Sequence, residues 1–271
     1  MRLFAAGLRK LVRRPATWVT FGLLVGLLTL IYLAVGVTAP QQTGNGARQA
    51  RLLLTFPGAY TLLLSFILGL GGLFAMIYGA AIAGSEWTWG TLKAAVARGE
   101  SRSRYQLLSF ASIGFMVGIG LVVAFGLGIV VAIVAGGLAQ VSMTGVDDAA
   151  TLRTFPELLL RGWLALGEAC ALGFAIATLA RSQLAGIGVG IAVYFGEQFA
   201  RIFLPDIVKY LPFNAANAVV ATSGGSIGSG GGDAAALARL DPNTALLVVL
   251  AWLVGALVVS ALFTERAEIS G

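Results

Sequence analysis

The residues of this chain that could carry chemistry are mostly acids placed where acids are rare. Glu168 stands near the middle of an apolar run from about Glu157 to Ala180. A charge at such a depth costs roughly 2.5–3.5 kcal/mol and normally faces a protein interior or a water-filled cavity. Two readings of Glu168 stay open: it lines a translocation route or responds to protons, or it is a protonated or paired residue of helix packing. Glu197 and Arg201 are spaced i and i+4 near the end of another apolar run. They read as an interface salt bridge, with a gate on the translocation route as the sharper alternative. Glu157 and Arg161 have the same spacing and read as an ordinary stabilising helix pair. Asp147 and Asp148 lack a third carboxylate at ligand-like spacing, so they read as a solvated turn, not a cation site.

Much chemistry is excluded. The chain has no histidine and one cysteine, Cys170, inside an apolar run. His-based metal sites, His general bases, intramolecular disulfides and thiolate clusters are therefore ruled out. No nucleophile–base pair or acid cluster suggests an enzyme. There is no GxxxxGK[ST] segment, and the lysines (Lys10, Lys93, Lys209) lie in no phosphate-binding context. The tract from Gly224 to Asp233, GGSIGSGGGD, reads as a flexible linker, because no Lys-Ser or Lys-Thr follows it. No cofactor or metal is expected in this chain.

The elements that position these residues are membrane spans. At 271 residues, 58% hydrophobic, with mean hydropathy +0.90, the chain lies far outside the range of soluble domains. The expected fold is an all-α membrane protein, one transmembrane domain of six helices over about 17–37, 58–84, 106–138, 157–180, 184–204 and 244–263. Each is long enough for a ~30 Å hydrocarbon core, and the third is longer than one crossing needs. Residues 1–16 are expected as an N-terminal amphipathic interfacial helix, with Leu3, Phe4, Leu8, Leu11 and Val12 on one face and most of Arg2, Arg9, Lys10, Arg13 and Arg14 on the other; the alternative is a basic flank that only fixes orientation. Pro15 ends that helix or starts the next. A secretory signal is the competing reading of the first span, but that span exceeds a signal core and Pro40 directly follows the only site resembling a cleavage point. Thr38–Pro57 and Ala139–Pro156 are expected as irregular outer connectors, and Tyr210–Ala221 as a short helix on or in the outer leaflet. Glycines at 69, 71, 72 and 79 mark the second span as packed against another helix.

The net charge of +6 does not point to nucleic acid, because the basic residues flank apolar runs instead of sharing one soluble face with aromatics. With both termini inside, the inner segments hold Arg2, Arg9, Lys10, Arg13, Arg14, Lys93, Arg98, Arg102, Arg104, Arg181 and Arg266. The longer outer connectors hold only Arg48, Arg51, Arg153, Lys209 and Arg239. The positive-inside bias puts both termini in the cytoplasm of a multi-pass cytoplasmic-membrane protein.

One inner segment stands out, IAGSEWTWGTLKAAVARGESRSRY from Ile82 to Tyr105. It is the only long charged interruption in the first half of the chain. A short helix over Thr91–Arg98 is expected, with Thr91 as its N-cap, Gly99 in the left-handed position after it, and Ser101 capping the next helix. Leu92, Ala95 and Val96 would share a face that lies on a membrane or presses into a partner's groove.

The order of Glu86, Trp87 and Trp89, Gly90-Thr91-Leu92, Lys93, Arg98 and Ser101-Arg102 between the second and third spans resembles the cytoplasmic loop of type-2 ATP-binding cassette (ABC) exporter permeases. Gly99-Glu100 departs from it where many members carry a nearby proline. The resemblance implies a short cytoplasmic coupling helix that contacts a separate ATPase subunit, through Glu86, Gly90, Thr91, Leu92, Lys93, Val96 and Arg98. ATP and Mg would then be bound by that partner. It also implies an elbow helix at the N-terminus and a second permease chain, identical or similar; the apolar, nearly uncharged span faces favour an amphipathic, lipid-like, drug or peptide cargo over a highly charged one. A proton-coupled secondary transporter using Glu168 is the alternative from another class, though no paired inverted repeat supports it. A non-transporting assembly or immunity protein is a third.

Overall fold

Hydrophobic segments of these lengths can satisfy their backbone groups in lipid only as helices, and helices are what the chain forms. A computed structural model describes residues 2–220 and 240–266; the glycine-serine tract of Gly224 to Asp233 lies outside the described residues. Among these residues there are helices and turns but no strand. The helices are α1 (Arg2–Val12), α2 (Pro15–Thr38), α3 (Gly44–Leu54), α4 (Gly58–Thr88), α5 (Thr91–Ala97), α6 (Arg102–Leu138), α7 (Ala149–Ala180), α8 (Gln183–Phe203), α9 (Pro205–Val208), α10 (Pro212–Ala218) and α11 (Pro242–Arg266). Five of them, α2, α4, α6, α7 and α11, are long and apolar enough to cross a membrane. This is an all-α, multi-pass membrane architecture. The expected fifth span is helical as α8 but is not among those five. Its length is sufficient, and Glu197, Gln198 and Arg201 dilute its apolar character.

Helices α4 and α7 form the centre, buried over most of their spanning length, whereas α2, α6 and α11 bury less than a third of theirs. The α4–α7 contact is made backbone to backbone. A side chain on Gly79 would overlap the Cys170 carbonyl, and one on Gly173 the Met76 carbonyl. Without a hydrophobic force between helices in lipid, such close dispersion contact is a principal source of association. Of the glycines that marked the second span as packed, Gly79 meets α7, Gly71 meets Leu24 of α2, and Gly69 and Gly72 meet Asn217 and Phe213 of α10.

Helix α1 packs along α6. Leu11 is buried, the Phe4 and Phe115 rings meet edge to face at 5.9 Å, and Arg9 and Arg13 remain exposed. Pro15 takes the first position of α2, where its missing N–H costs nothing.

Several expected boundaries are corrected. The connector Thr38–Pro57 is not irregular: it contains α3, which buries Ala50 and Leu54. The connector Ala139–Pro156 ends early, because α7 begins at Ala149 and carries Pro156 inside it. Asp148 starts that helix, its Oδ2 accepting from the Thr151 amide at 3.0 Å. These bonds from Thr151 hold the Asp148 carboxyl below the usual carboxylate range. The short helix near Tyr210 is α10, and Phe213, Ala215 and Ala216 bury it among α4, α7, α8 and α11; it does not lie on a surface.

Candidate functional site

The end of α4 is the meeting point of several charged segments. Glu86 falls in its last turn and is 6% exposed. A carboxylate so buried requires donors, and three side chains from three other helices supply them. Lys10 of α1 donates to Oε1. Thr91 of α5 donates to Oε2, and Tyr105 of α6 donates to the same oxygen at 2.6 Å. Four helices are joined through one side chain.

The joint continues outward. Arg14 donates from Nη1 to Ser85 Oγ at 3.0 Å, and its guanidinium lies over the Trp89 ring at 5.0 Å. Arg181, in the turn after α7, lies over the Trp87 and Phe263 rings at 5.3 and 5.4 Å. Trp87 and Phe263 themselves meet at 6.4 Å, and Arg102 donates to the Glu265 carbonyl at 3.2 Å. The N-terminal helix, the loop after α4, the 181 turn and the end of α11 therefore share one end of the bundle. A cavity of about 310 Å³ opens between α1, α4, α5 and α6, lined in part by Leu3, Lys10, Glu86, Arg98 and Tyr105.

The expected coupling residues fall into two groups. Glu86 and Thr91 belong to the buried joint. Thr91 is not the N-cap: Gly90 takes that position at φ 64°, a conformation that suits glycine, and frees the Thr91 hydroxyl for Glu86. Gly99 has the expected left-handed backbone, φ 88°, and Ser101 sits at the N-cap of α6 without a side-chain capping bond. Leu92 is 5% exposed and turns inward with Ala95 instead of outward to a partner. Val96 is half-buried. Trp89, 66% exposed, and Arg98, whose Nε donates to the Ala94 carbonyl at 3.0 Å, form the outward face. Lys93 is on α5, and its side chain lies outside the described residues.

The residues expected along a translocation route lie deeper in the bundle. Glu168 is completely buried on α7, and neither carboxyl oxygen has a hydrogen-bond partner among the described residues. Glu197 on α8 is 3% exposed. It is not bridged to Arg201; its carboxylate accepts from the backbone amides of Phe213 (3.4 Å) and Asn214 (3.2 Å) and from Asn214 Nδ2 (3.0 Å). Burial explains the choice, since α10 brings donors inside while Arg201 stays half-exposed. Glu157 and Arg161 do pair, at 2.7 Å, and Arg161 also reaches Asn243 at 2.9 Å.

Sequence reasoning did not find Lys10, Tyr105 or Arg14 as members of the joint. The signal available was Glu86 itself, an acid at the end of an apolar helix that had to find donors. Among the described residues no group of three or more metal-ligating side chains occurs. No protein-family model matches the chain, and no curated protein is significantly similar to it.

Proposed function

We propose that this chain is the membrane-spanning permease subunit of an ABC transporter, working as an exporter with ATP hydrolysed by a separate subunit. The observation that carries the reading is the Glu86 joint. The segment that resembles a coupling loop is tied through one buried carboxylate to the N-terminal helix, to α6 and to the end of the central helix α4. A push on α5 would reach α4 directly, and from there α7 through their glycine contact. That is the mechanical link by which closure of two ATP-binding subunits could rock the span bundle.

In this reading α8 is also a span, the fifth of six, since 21 residues rise ~31 Å. The joint faces the cytoplasm of the cell membrane, where most Lys and Arg gather. A second permease chain completes the route. The apolar span faces suit an amphipathic, lipid-like, drug or peptide cargo. The ATPase contact falls on Trp89, Arg98 and the outer side of α5, not on Leu92.

Tagging the chain and identifying proteins that co-purify from native membranes tests the proposal. A soluble ATP-binding protein is expected with the wild type and should be lost with Arg98→Glu combined with Trp89→Ala. Failure to recover any ATPase in several detergents would remove the reading. The unpartnered Glu168 favours one second reading, a proton-coupled transporter, in which transport persists without nucleotide and collapses with the proton gradient.

A further inference from the structure

Glu168 and Glu197 occupy neighbouring antiparallel helices at nearly the same depth. Glu168 precedes the end of α7 at Ala180, and Glu197 follows the start of α8 at Gln183. At ~1.5 Å per residue they stand ~18 and ~21 Å from that shared end. Their surroundings differ. Glu197 is supplied with three N–H donors by α10, the kind of setting that stabilises a carboxylate. Glu168 is sealed from solvent and has no partner among the described residues.

No described cation compensates Glu168. Across the α7–α8 contact the acid at matching depth is Glu197, which has the same sign. From α8, the Tyr194 hydroxyl donates to the Gly69 carbonyl at 3.3 Å, and Arg201 stands half-exposed in the last turn, one turn beyond Glu197. Helix α10 contributes the uncharged Asn214 and Asn217. On α4, Tyr60 donates to the Val146 carbonyl, Tyr78 is bonded to Thr17, and Glu86 belongs to the joint at the helix end. On α6, Arg102, Arg104 and Tyr105 sit in the first turn, and α11 carries Glu265 and Arg266 at its last. On α7 itself, Cys170 is buried and Arg161 is engaged by Glu157. A bound metal would need several oxygen ligands, and no such group is present among the described residues. A proton needs only one oxygen.

We propose that Glu168 is a proton-binding site, and that Glu168 and Glu197 together hold one proton and one negative charge inside the bundle. The proton resides on Glu168, whose site offers no donor and no counter-charge. The charge resides on Glu197, where the N–H groups of α10 meet it. A second proton would have to enter on Glu197 and would weaken its acceptance of those N–H groups, so the loading of the pair is linked to the anchoring of α10.

This requires only the membrane placement of α7, and its test uses neither nucleotide nor partner, so it succeeds or fails separately from the permease reading. Infrared spectra of the full-length chain in lipid vesicles at neutral pH, in light and heavy water, report protonated carboxylic acids directly. The expected result is a protonated-acid carbonyl band in the wild type that is lost in Glu168→Gln and retained in Glu197→Gln. Absence of the band from the wild type, or its survival in Glu168→Gln, overturns the proposal. Glu168→Leu guards against a folding artefact: it removes an acid that has no partner and should elute as the wild type does in gel filtration, also without the band. If both Glu168 variants aggregate, the group has a partner that the proposal denies, and the proposal fails.

Discussion

Lys10 of the first helix donates to the Glu86 carboxylate at the end of α4, across 76 residues of sequence. The Lys10 side chain is about one-third exposed while that of Glu86 is almost fully buried. Removing the lysine would therefore strip a buried charge of its counter-ion while freeing little that needed burial. Lys10→Met is expected to destabilise the detergent-solubilised protein by about 1–2 kcal/mol, the range for a hydrogen bond to a charged group reduced for partial exposure. Arg9→Met, on the exposed face of the same helix, should change it by less than about 0.5 kcal/mol. Thermal gel-filtration midpoints compare the two, and equal shifts would mean that the joint does not hold α1.

Tyr105→Phe probes the joint from another side, since the phenol is one of three side-chain donors to Glu86. Loss of that donor should cost about 1–2 kcal/mol. The double variant with Lys10→Met should lose more than the sum of the two single losses, because both act on one carboxylate. Additive losses within about 0.3 kcal/mol would show that the donors work independently.

Leu92→Asp separates the inward from the outward face of α5. Leu92 is buried against α4 and α6, so a carboxylate there would be desolvated without a partner. The variant should lose more than about 2 kcal/mol of stability or fail to accumulate. Arg98→Glu, on the exposed side, should accumulate normally. Yields in fluorescence-detected gel filtration decide, and normal behaviour of Leu92→Asp would contradict the inward packing.

What the sequence disclosed follows from how far each signal extends. Span positions were legible because apolar length is a local property, and α2, α4, α6, α7 and α11 lie where hydropathy put them. Gly99 was legible because a glycine after a short helix has a local reason to be there. Glu86 was marked by its place in the charged loop, yet its donors were not, since Lys10 and Tyr105 arrive from separate helices. Glu197 and Arg201 misled for the same reason: their spacing suggested a local bond, and tertiary burial offered the carboxylate the amides of α10 instead. Pro156 misled by suggesting a boundary, whereas a helix with a good cap at Asp148 tolerates the loss of one bond.

Gly79→Leu tests the central contact. The missing side chain leaves room for the Cys170 carbonyl, a backbone group that cannot yield to a larger residue as a flexible side chain could. Helices α4 and α7 would have to separate, with an expected cost of at least about 2–3 kcal/mol and loss of monodisperse protein. Gly188→Leu, where a Cβ meets nothing within 4 Å, should be tolerated. If both behave alike in gel filtration, the α4–α7 approach is not close.

Glu197→Ala should unfasten α10. Deletion of the carboxylate leaves the amides of Phe213 and Asn214 without their acceptor in a buried setting, and each orphaned donor costs about 1–3 kcal/mol. The loss should be concentrated locally, because α10 is a short element fixed to α8 by these bonds and by the Phe213–Tyr194 ring contact at 4.9 Å. Hydrogen exchange with mass spectrometry should show residues 212–218 exchanging at least tenfold faster, with α4 and α7 unchanged. Arg201→Ala should leave the same segment protected, since Arg201 takes no part in holding Glu197. Equal deprotection by the two substitutions would restore the local ion pair that the spacing suggested and remove the anchoring role assigned to Glu197.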